Sequence, residues 1–405
     1  MITFFFKYNE IGGVQVLIYN LMKELHENNI RTKLIYYKES WLTRELDING
    51  IKYDFFDIEE IRINRLDEFV HSDDILVTTI LFLELANFKR INPFFFFWNV
   101  ASFTFENTTK SFAWFRRLTR KHLVLKMIRK NGLVFMDNEG VQFLEKAFKI
   151  NINPSFLPVP IWISNENKYL LRRKSSIKKN IDITYIGRAI DLKINPVLKI
   201  IDDIKCCSES FRIALNIITD DIESFERSID ISGINFEIKF YSGLSGNELK
   251  QFLLANSDLH IAMGTSCLEG SSLGIPSVLI DASHKIFPEG YLYRWIFETE
   301  KFCLGRILEE SDKITTGRPF SEILSYYDEN RSDELARISE VCYEYTIQNH
   351  NLKYIANEFC DLCNNSSLKI RDVLYTDLGY YLPTMIRQIF KTFKYIFQSL
   401  FRSVS

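Results

Sequence analysis

Short runs of consecutive apolar residues alternate along this chain with longer stretches whose apolar positions recur at helical spacing. Ile2–Phe6 is the first run; a Gly12–Gly13 turn follows it, then Leu17, Leu21, Met22 and Leu25 on one face of a helix. Further runs fall at Lys33–Tyr37, Ile75–Leu81, Phe94–Val100 and Leu133–Met136. Alternation of this kind predicts a parallel sheet flanked by helices. The pattern restarts beyond the polar, basic segment Asn165–Asn180, with runs at Ile181–Gly187, Phe211–Ile218, Glu237–Tyr241, Leu259–Met263 and Ser277–Ile280. The expectation is an α/β protein of two consecutive units, residues 1–160 and 161–365, with a basic amphipathic helix over 366–405. Ligands of such sheets bind beyond the carboxyl ends of the strands. Two units facing each other would hold a ligand in the cleft between them.

Composition narrows the class. A chain of 405 residues, 46% hydrophobic and 25% charged, suits two soluble domains. A formal net charge of −2 gives no general attraction to nucleic acid. The seven cysteines include a Cys360–Cys363 pair, but no second pair or nearby His completes a metal site. With an odd count, and with the opening "MITFFFKY" read as a strand and not an export signal, a reducing cytoplasm is expected. No apolar run reaches the length of a membrane span, and "INPFFFFWNV" (Ile91 to Val100) is read as a core strand.

Three segments carry candidate chemistry. At Gly12–Gly13 a strand ends and a helix begins, which offers backbone N–H groups to an anion or is simply a turn. In "DITYIGRAIDLKINP" a strand delivers Gly187, Arg188 and Lys193 to one rim. Arg and Lys so placed would clamp a diphosphate, or would be solvated surface charges. In "MGTSCLEGSSLGIPSVLID" a strand is followed by Gly264–Thr265–Ser266 and a short helix over Cys267–Leu273, ended by Gly274 and Pro276. Glu269 would lie in the first turn of that helix. There it could accept two hydrogen bonds from a ribose diol, or merely complement the helix dipole. The small residues Gly270, Ser271 and Ser272 would leave backbone N–H groups open to phosphate.

The order of these pieces resembles a GT-B fold glycosyltransferase, most similar to family 4. The matching elements are Gly12–Gly13, then Gly187–Arg188 with Lys193, then Glu269 with Gly274 and Pro276; "FLPVPI" and "FYSGLSGNELKQFLLANSDLHI" are partial matches. The resemblance implies two Rossmann-like domains, the first binding acceptor and the second a nucleotide diphosphate sugar, with a C-terminal helix crossing back to the first domain. Arg188 and Lys193 would be the catalytic cations that neutralise the leaving diphosphate. Glu269 would hold the ribose, the backbone near Tyr241–Gly243 the base, and Gly12–Gly13 would face the donor across the cleft. It implies no metal or other cofactor, the nucleotide sugar being a co-substrate. The pairs Asp73–Asp74, Asp202–Asp203 and Asp220–Asp221 are read as loop or helix edges. Two departures stand out: the position eight before Glu269, where the family has a first Glu, is Ile261, and no His matches the family's first-domain catalytic one, with Asn99 or Glu106 nearest.

Thr108–Gly132 contains Arg116, Arg117, Arg120 and Lys121 among eight basic residues and no acidic one, interleaved with Phe112, Trp114, Phe115 and Leu118. This is the pattern of a helix on an anionic leaflet, each basic residue adding about 1 kcal/mol near the surface; a solvated helix face shares it. The C-terminal segment has apolar positions at helical spacing with Arg387, Lys391, Lys394 and Arg402 as its only charges, which suits core packing or membrane apposition. The expected function is transfer of a sugar to a growing, lipid-linked surface glycan of O-antigen or capsule type, at the inner face of the cytoplasmic membrane. A nucleotide-sugar 2-epimerase of the same fold and a catalytically silent partner subunit are the alternatives.

Overall fold

A computed structural model describes residues 1–7, 12–61, 66–79, 81, 83–100, 113–163, 180–189, 191–207, 211–229, 233–309 and 315–376, with the side chains of 113–117 and 191 left aside. The chain forms two compact units: Met1–Pro158 joined by the segment that begins at Ala356, and Val159–Ile355.

The first unit carries β1 (Ile2–Phe5), β2 (Thr32–Tyr36), β3 (Asp54–Asp57), β4 (Ile75–Thr78), β5 (Phe94–Asn99) and β6 (Leu133–Phe135). Between them run helices α1 (Gly13–Glu27), α2 (Trp41–Ile48), α3 (Leu66–Phe69) and α4 (Ala113–Arg129), and after them α5 (Asn138–Phe148). The strands form one parallel sheet in the order β3-β2-β1-β4-β5-β6. The second unit repeats the plan with β7 (Asn180–Ile186), β8 (Arg212–Ile218), β9 (Glu237–Tyr241), β10 (Leu259–Ala262), β11 (Ser277–Leu279) and β12 (Arg294–Trp295). Its helices are α6 (Asp191–Cys207), α7 (Ile222–Ser228), α8 (Gly246–Asn256), α9 (Thr265–Ser271), α10 (Phe320–Ser325) and α11 (Ser332–His350). The sheet order is β12-β11-β10-β7-β8-β9, parallel except for the antiparallel β12. Counted within each unit, both sheets have the strand order 3-2-1-4-5-6 of dinucleotide-binding folds. The chain then returns to the first unit through α12 (Leu352–Asn365) and α13 (Ile370–Thr376).

Most of the apolar runs became strands because they are buried on both faces, the edge strand β9 being the exposed exception. In β5, Phe95 and Phe97 join a cluster with Leu123, Met127, Leu368 and Val373. The alternate residues Phe96 and Trp98 point the other way, onto Phe359 of α12, which also stacks on Phe4. Phe359 therefore belongs to the first unit, and the boundary expected at residue 365 moves back to 355–356. Strands β3 and β12 were not expected. The first is a half-buried edge strand, "DFFD", and the second has two residues, so neither shows a long apolar run.

Helix α4 corrects part of the membrane reading. Arg120 is 3% exposed and lies on the same stripe as the fully buried Leu123, Val124 and Met127, as a period of 3.6 requires. It is not a surface cation. Lys121 is half-buried, and Lys126 and Lys130 grip the two oxygens of Asp372 on α13 at 3.0 and 2.7 Å. The side chains of Arg116 and Arg117, and residues 383–405, lie outside the described residues. Among the described residues no helix is long and apolar enough to cross a membrane.

Truncating Phe359 tests the return of the chain. Phe359→Ala removes a fully buried ring that touches three aromatic neighbours. It should cost about 3–5 kcal/mol in urea unfolding of the full chain. A loss below 1 kcal/mol would contradict this packing.

Candidate functional site

In the second sheet the strand order reverses between β7 and β10, which pair with Ile186 opposite Ala262. Their carboxyl ends carry Gly187–Arg188 and Gly264–Thr265, so two of the three candidate segments meet at the point where ligands of such sheets bind. The N–H of Gly187 donates to the carbonyl of Ile218 at 3.0 Å. A Cβ at this position would fall 2.5 Å from the hydroxyl of Tyr185, which donates to the carbonyl of Lys193 at 3.2 Å. Glycine is therefore required, and the buried Tyr185 ties the turn to the start of α6. On the far side, the Asp220 carboxylate accepts from the N–H of Ala189 at 2.9 Å.

This turn leaves Arg188 exposed and Lys193 half-buried in the first turn of α6. Burial, and after it the charge of Arg188, pushes the Lys193 ammonium below its usual range, with Asp220 pulling the other way. The two cations thus feel each other. Neither has an ion-pair partner among the described residues.

Helix α9 starts at Thr265, two residues earlier than expected, because Gly264 adopts φ 62° and donates its N–H to the carbonyl of Leu304 at 2.6 Å. Glu269 consequently opens the second turn, not the first, and complementing the dipole no longer accounts for it. The helix is seated on His260 of β10. The ring Nε2 lies 2.7 Å from the carbonyl of Ser266, and a Cβ at Gly270 would strike the imidazole at 2.3 Å. Burial pushes this histidine down to about 4, so it is neutral, with Nε2–H donating and Nδ1 without a partner among the described residues. Beside it, the Glu269 carboxyl is half-buried and receives no hydrogen bond or ion pair from the described residues. Burial alone pushes it up to about 7. The fold holds this carboxyl in place and leaves its hydrogen-bonding capacity unused.

The other expected residues divide. The N–H groups of Thr265 and Ser266 have no backbone acceptor among the described residues, whereas that of Cys267 already bonds Gly264 at 3.1 Å. Ser271 and Ser272 do not face a ligand. The Ser271 hydroxyl lies 2.6 Å from that of Thr346 and also donates to Leu268, while Ser272 spends its N–H on Leu268 and its hydroxyl on the carbonyl of Glu269. Small side chains let α9 pack here; they do not bare its backbone. The carbonyl of Tyr241 accepts from Thr219 at 2.9 Å and its ring sits edge-on to Phe252. That leaves the exposed turn at Gly243, φ 75°, for any contact with a base.

In the first unit, Gly12 precedes α1 and its carbonyl accepts from Val16 at 3.2 Å. Gly13 is exposed and a Cβ there would meet nothing within 4 Å, so this helix end is open. Asn99, at the carboxyl end of β5, is 2% exposed, with neither amide atom partnered among the described residues; Glu106 lies outside them. His260 and Asp220 were missed as supports of the site. Asp220 directly follows β8 and its threonine, at a strand end where ligands bind, which is the one signal that marked it.

A cavity of about 440 Å³ in the second unit is lined by Arg294, Glu298, Thr316, Gly317, Arg318 and Glu322. Its charges neutralise one another, with Arg318 bound to both Glu298 and Glu322, and it contains none of the candidate residues.

No protein-family model matches the sequence, and no curated protein matches it. Solved structures do resemble the fold. A glycosyltransferase from Rickettsia africae has 14% identity and a TM-score of 0.60, over 90% of this chain and 97% of that one. HepE from Anabaena, in complex with UDP and glucose, has 13% identity and a TM-score of 0.54, over 90% and 99%. The lipopolysaccharide outer core galactosyltransferase WaaB has 14% and 0.53, over 89% and 98%. At such identities the likeness is one of architecture: this chain has the α/β GT-B fold.

The unsatisfied carboxyl has a measurable cost. Unfolded, Glu269 titrates near 4.5, and folded near 7. Between these values the folded chain keeps a proton that the unfolded chain has lost, so stability falls as pH rises. The full cost, on the order of 3 kcal/mol, is present above pH 7. Glu269→Gln should match the wild type below pH 4.5 and exceed it by about that amount at pH 8, in urea unfolding at each pH. The buried His260 and His350 cancel in this difference. Equal stabilities at both pH values would refute the burial of the carboxyl.

Proposed function

We propose that this protein is a glycosyltransferase that takes a sugar from a nucleotide diphosphate donor held by its second unit. The observation that carries this is Glu269, a positioned carboxyl without a partner among the described residues, on the strand end next to the one that bears Arg188 and Lys193, which have no ion-pair partner among them either. A carboxylate so placed accepts two hydrogen bonds from a ribose diol. Two uncompensated cations beside it accept a diphosphate. As the bond from the sugar to the diphosphate breaks, negative charge grows on the leaving oxygen, and Arg188 and Lys193 meet it without reorganising. In this reading those cations, and not a metal, supply the electrophilic assistance. HepE, one of the similar structures, was solved with UDP and glucose.

The acceptor is a growing glycan carried on a lipid, of the O-antigen or capsule type, at the inner membrane face. Support comes from the basic and aromatic residues at 110–117 and from the basic segment 380–405. WaaB, of similar fold, acts on the lipopolysaccharide outer core.

Calorimetric titration of the full chain with UDP, GDP and their hexose derivatives tests the donor site. One nucleotide should bind, and Arg188→Ala and Glu269→Ala should each weaken it by about tenfold or more. Because the ribose requires the ionised carboxylate, wild-type affinity should fall as pH drops below about 7, and the Glu269→Ala variant should lose that dependence. No binding by the wild type, or two variants indistinguishable from it, would defeat the proposal.

A further inference from the structure

The segment Cys303–Leu308, which the sequence did not mark, crosses the carboxyl ends of β10 and β11. The N–H of Gly264 donates to Leu304, that of Ala282 to Arg306, and that of Leu308 back to Ala282, at 2.6, 2.8 and 2.9 Å. Gly305, at φ 112°, fits so closely that a Cβ would come within 3.0 Å of the carbonyl of Ile280 and 3.1 Å of Met263 Cβ. This strap therefore lies on the same edge as the Gly264 turn. The N–H of Ser283, just beyond β11, donates to the carbonyl of Leu192, beside Lys193.

The strap brings one arginine to this rim, and the arginine is poorly compensated. Asp281, 1% exposed, is the nearest carboxylate. Its Oδ1 accepts from Arg294 Nη2 at 2.7 Å and from the backbone N–H of Arg306 at 3.1 Å. The Arg306 guanidinium reaches only to 3.8 Å, from Nε to Oδ2, beyond hydrogen-bond range. Two guanidinium groups thus share one carboxylate, and Arg294 takes the short contact. The Nε–H of Arg306 is buried with no acceptor among the described residues, while 34% of the side-chain surface stays exposed. A buried donor left unmade is costly, and a planar guanidinium with spare donors matches the paired oxygens of an oxyanion.

We infer that Arg306 is a third anion-anchoring residue of the donor site, taking an oxyanion of the bound nucleotide sugar. That oxyanion is either the diphosphate or an acidic group on the sugar itself. The inference rests on the donor-site reading above and goes beyond it, since neither Arg188 nor Lys193 lies on this side of the Gly264 turn in the chain.

Titration of the full chain with UDP, GDP, a UDP-hexose and a UDP-hexuronic acid tests it, using Arg306→Gln and Arg306→Lys. Arg306→Gln should weaken binding by about tenfold, and Arg306→Lys should recover part of the loss by restoring charge. Equal weakening of all the ligands assigns the diphosphate to Arg306. Weakening of the hexuronic derivative alone assigns the acidic sugar. Thermal unfolding shows whether the variants are folded, and Arg306→Lys serves if Arg306→Gln is not. Wild-type binding with both variants unchanged would overturn the inference and leave the donor site standing. Absence of any nucleotide binding by the wild type would overturn the donor site, and the inference with it.

Discussion

The contact between Gly270 and the imidazole of His260 sets the position of everything on α9. A single methyl group at residue 270 would sit 2.3 Å from the ring, so the helix could not approach the sheet with any other residue there. Burial keeps the ring neutral, and its Nε2–H donates to the carbonyl of Ser266. Glu269 precedes the contact directly and inherits its rigidity. Gly264 at φ 62° lets the helix begin one residue after β10 has turned, and Gly274 at φ 70° ends it. A helix of two turns would be unstable alone. Here the sheet beneath and the glycines at both ends hold it, and with it a carboxyl that has no partner.

Such a carboxyl is a local conflict, and conflicts of this kind concentrate at functional sites. The neighbouring hydroxyls show the contrast. Ser271 and Ser272, on the same short helix, have each found acceptors within the fold. The hydroxyls of Ser271 and Ser272 are thus used within the fold, while the ionisable group beside them is left over. A carboxyl retained for packing alone would be replaced by Gln at a gain in stability, so its presence argues for a contact made in another state of the molecule.

Both sheets were legible in the sequence because most of their strands are buried on two faces and read as apolar runs. β3 and β12 were not, since an edge strand with one dry face needs no such run. The Gly187–Arg188 turn and Glu269 were legible as motifs, but their supports were not. His260 looks like any residue of an apolar strand, and only its register beneath Gly270 gives it a role. Arg120 could have been placed correctly, because it shares the helical stripe of Leu123, Val124 and Met127; counting charges along α4 without their periodicity put it on the surface. Ser271 and Ser272 were misread for the opposite reason. Small polar residues suggest an open backbone, and which way a hydroxyl turns depends on a residue as distant as Thr346.

Several cations elsewhere contrast with the two at the rim, which have no ion-pair partner among the described residues. The chain has 52 acidic residues for 50 basic ones. Several buried or half-buried cations away from the β7–β10 edge have carboxylate partners: Lys33 with Asp74 at 2.7 Å, Lys126 and Lys130 with Asp372, Lys199 with Asp203 at 2.6 Å, and Arg294 with Asp281. Lys193 is half-buried in the first turn of a helix, where the dipole disfavours a cation, and Arg188 depresses its proton affinity further. The nearby Asp220 is spent on the backbone N–H of Ala189 and forms no ion pair with the ammonium. Two cations on one strand-to-helix turn, each felt by the other and neither ion-paired among the described residues, suit a negative charge that arrives from outside the chain.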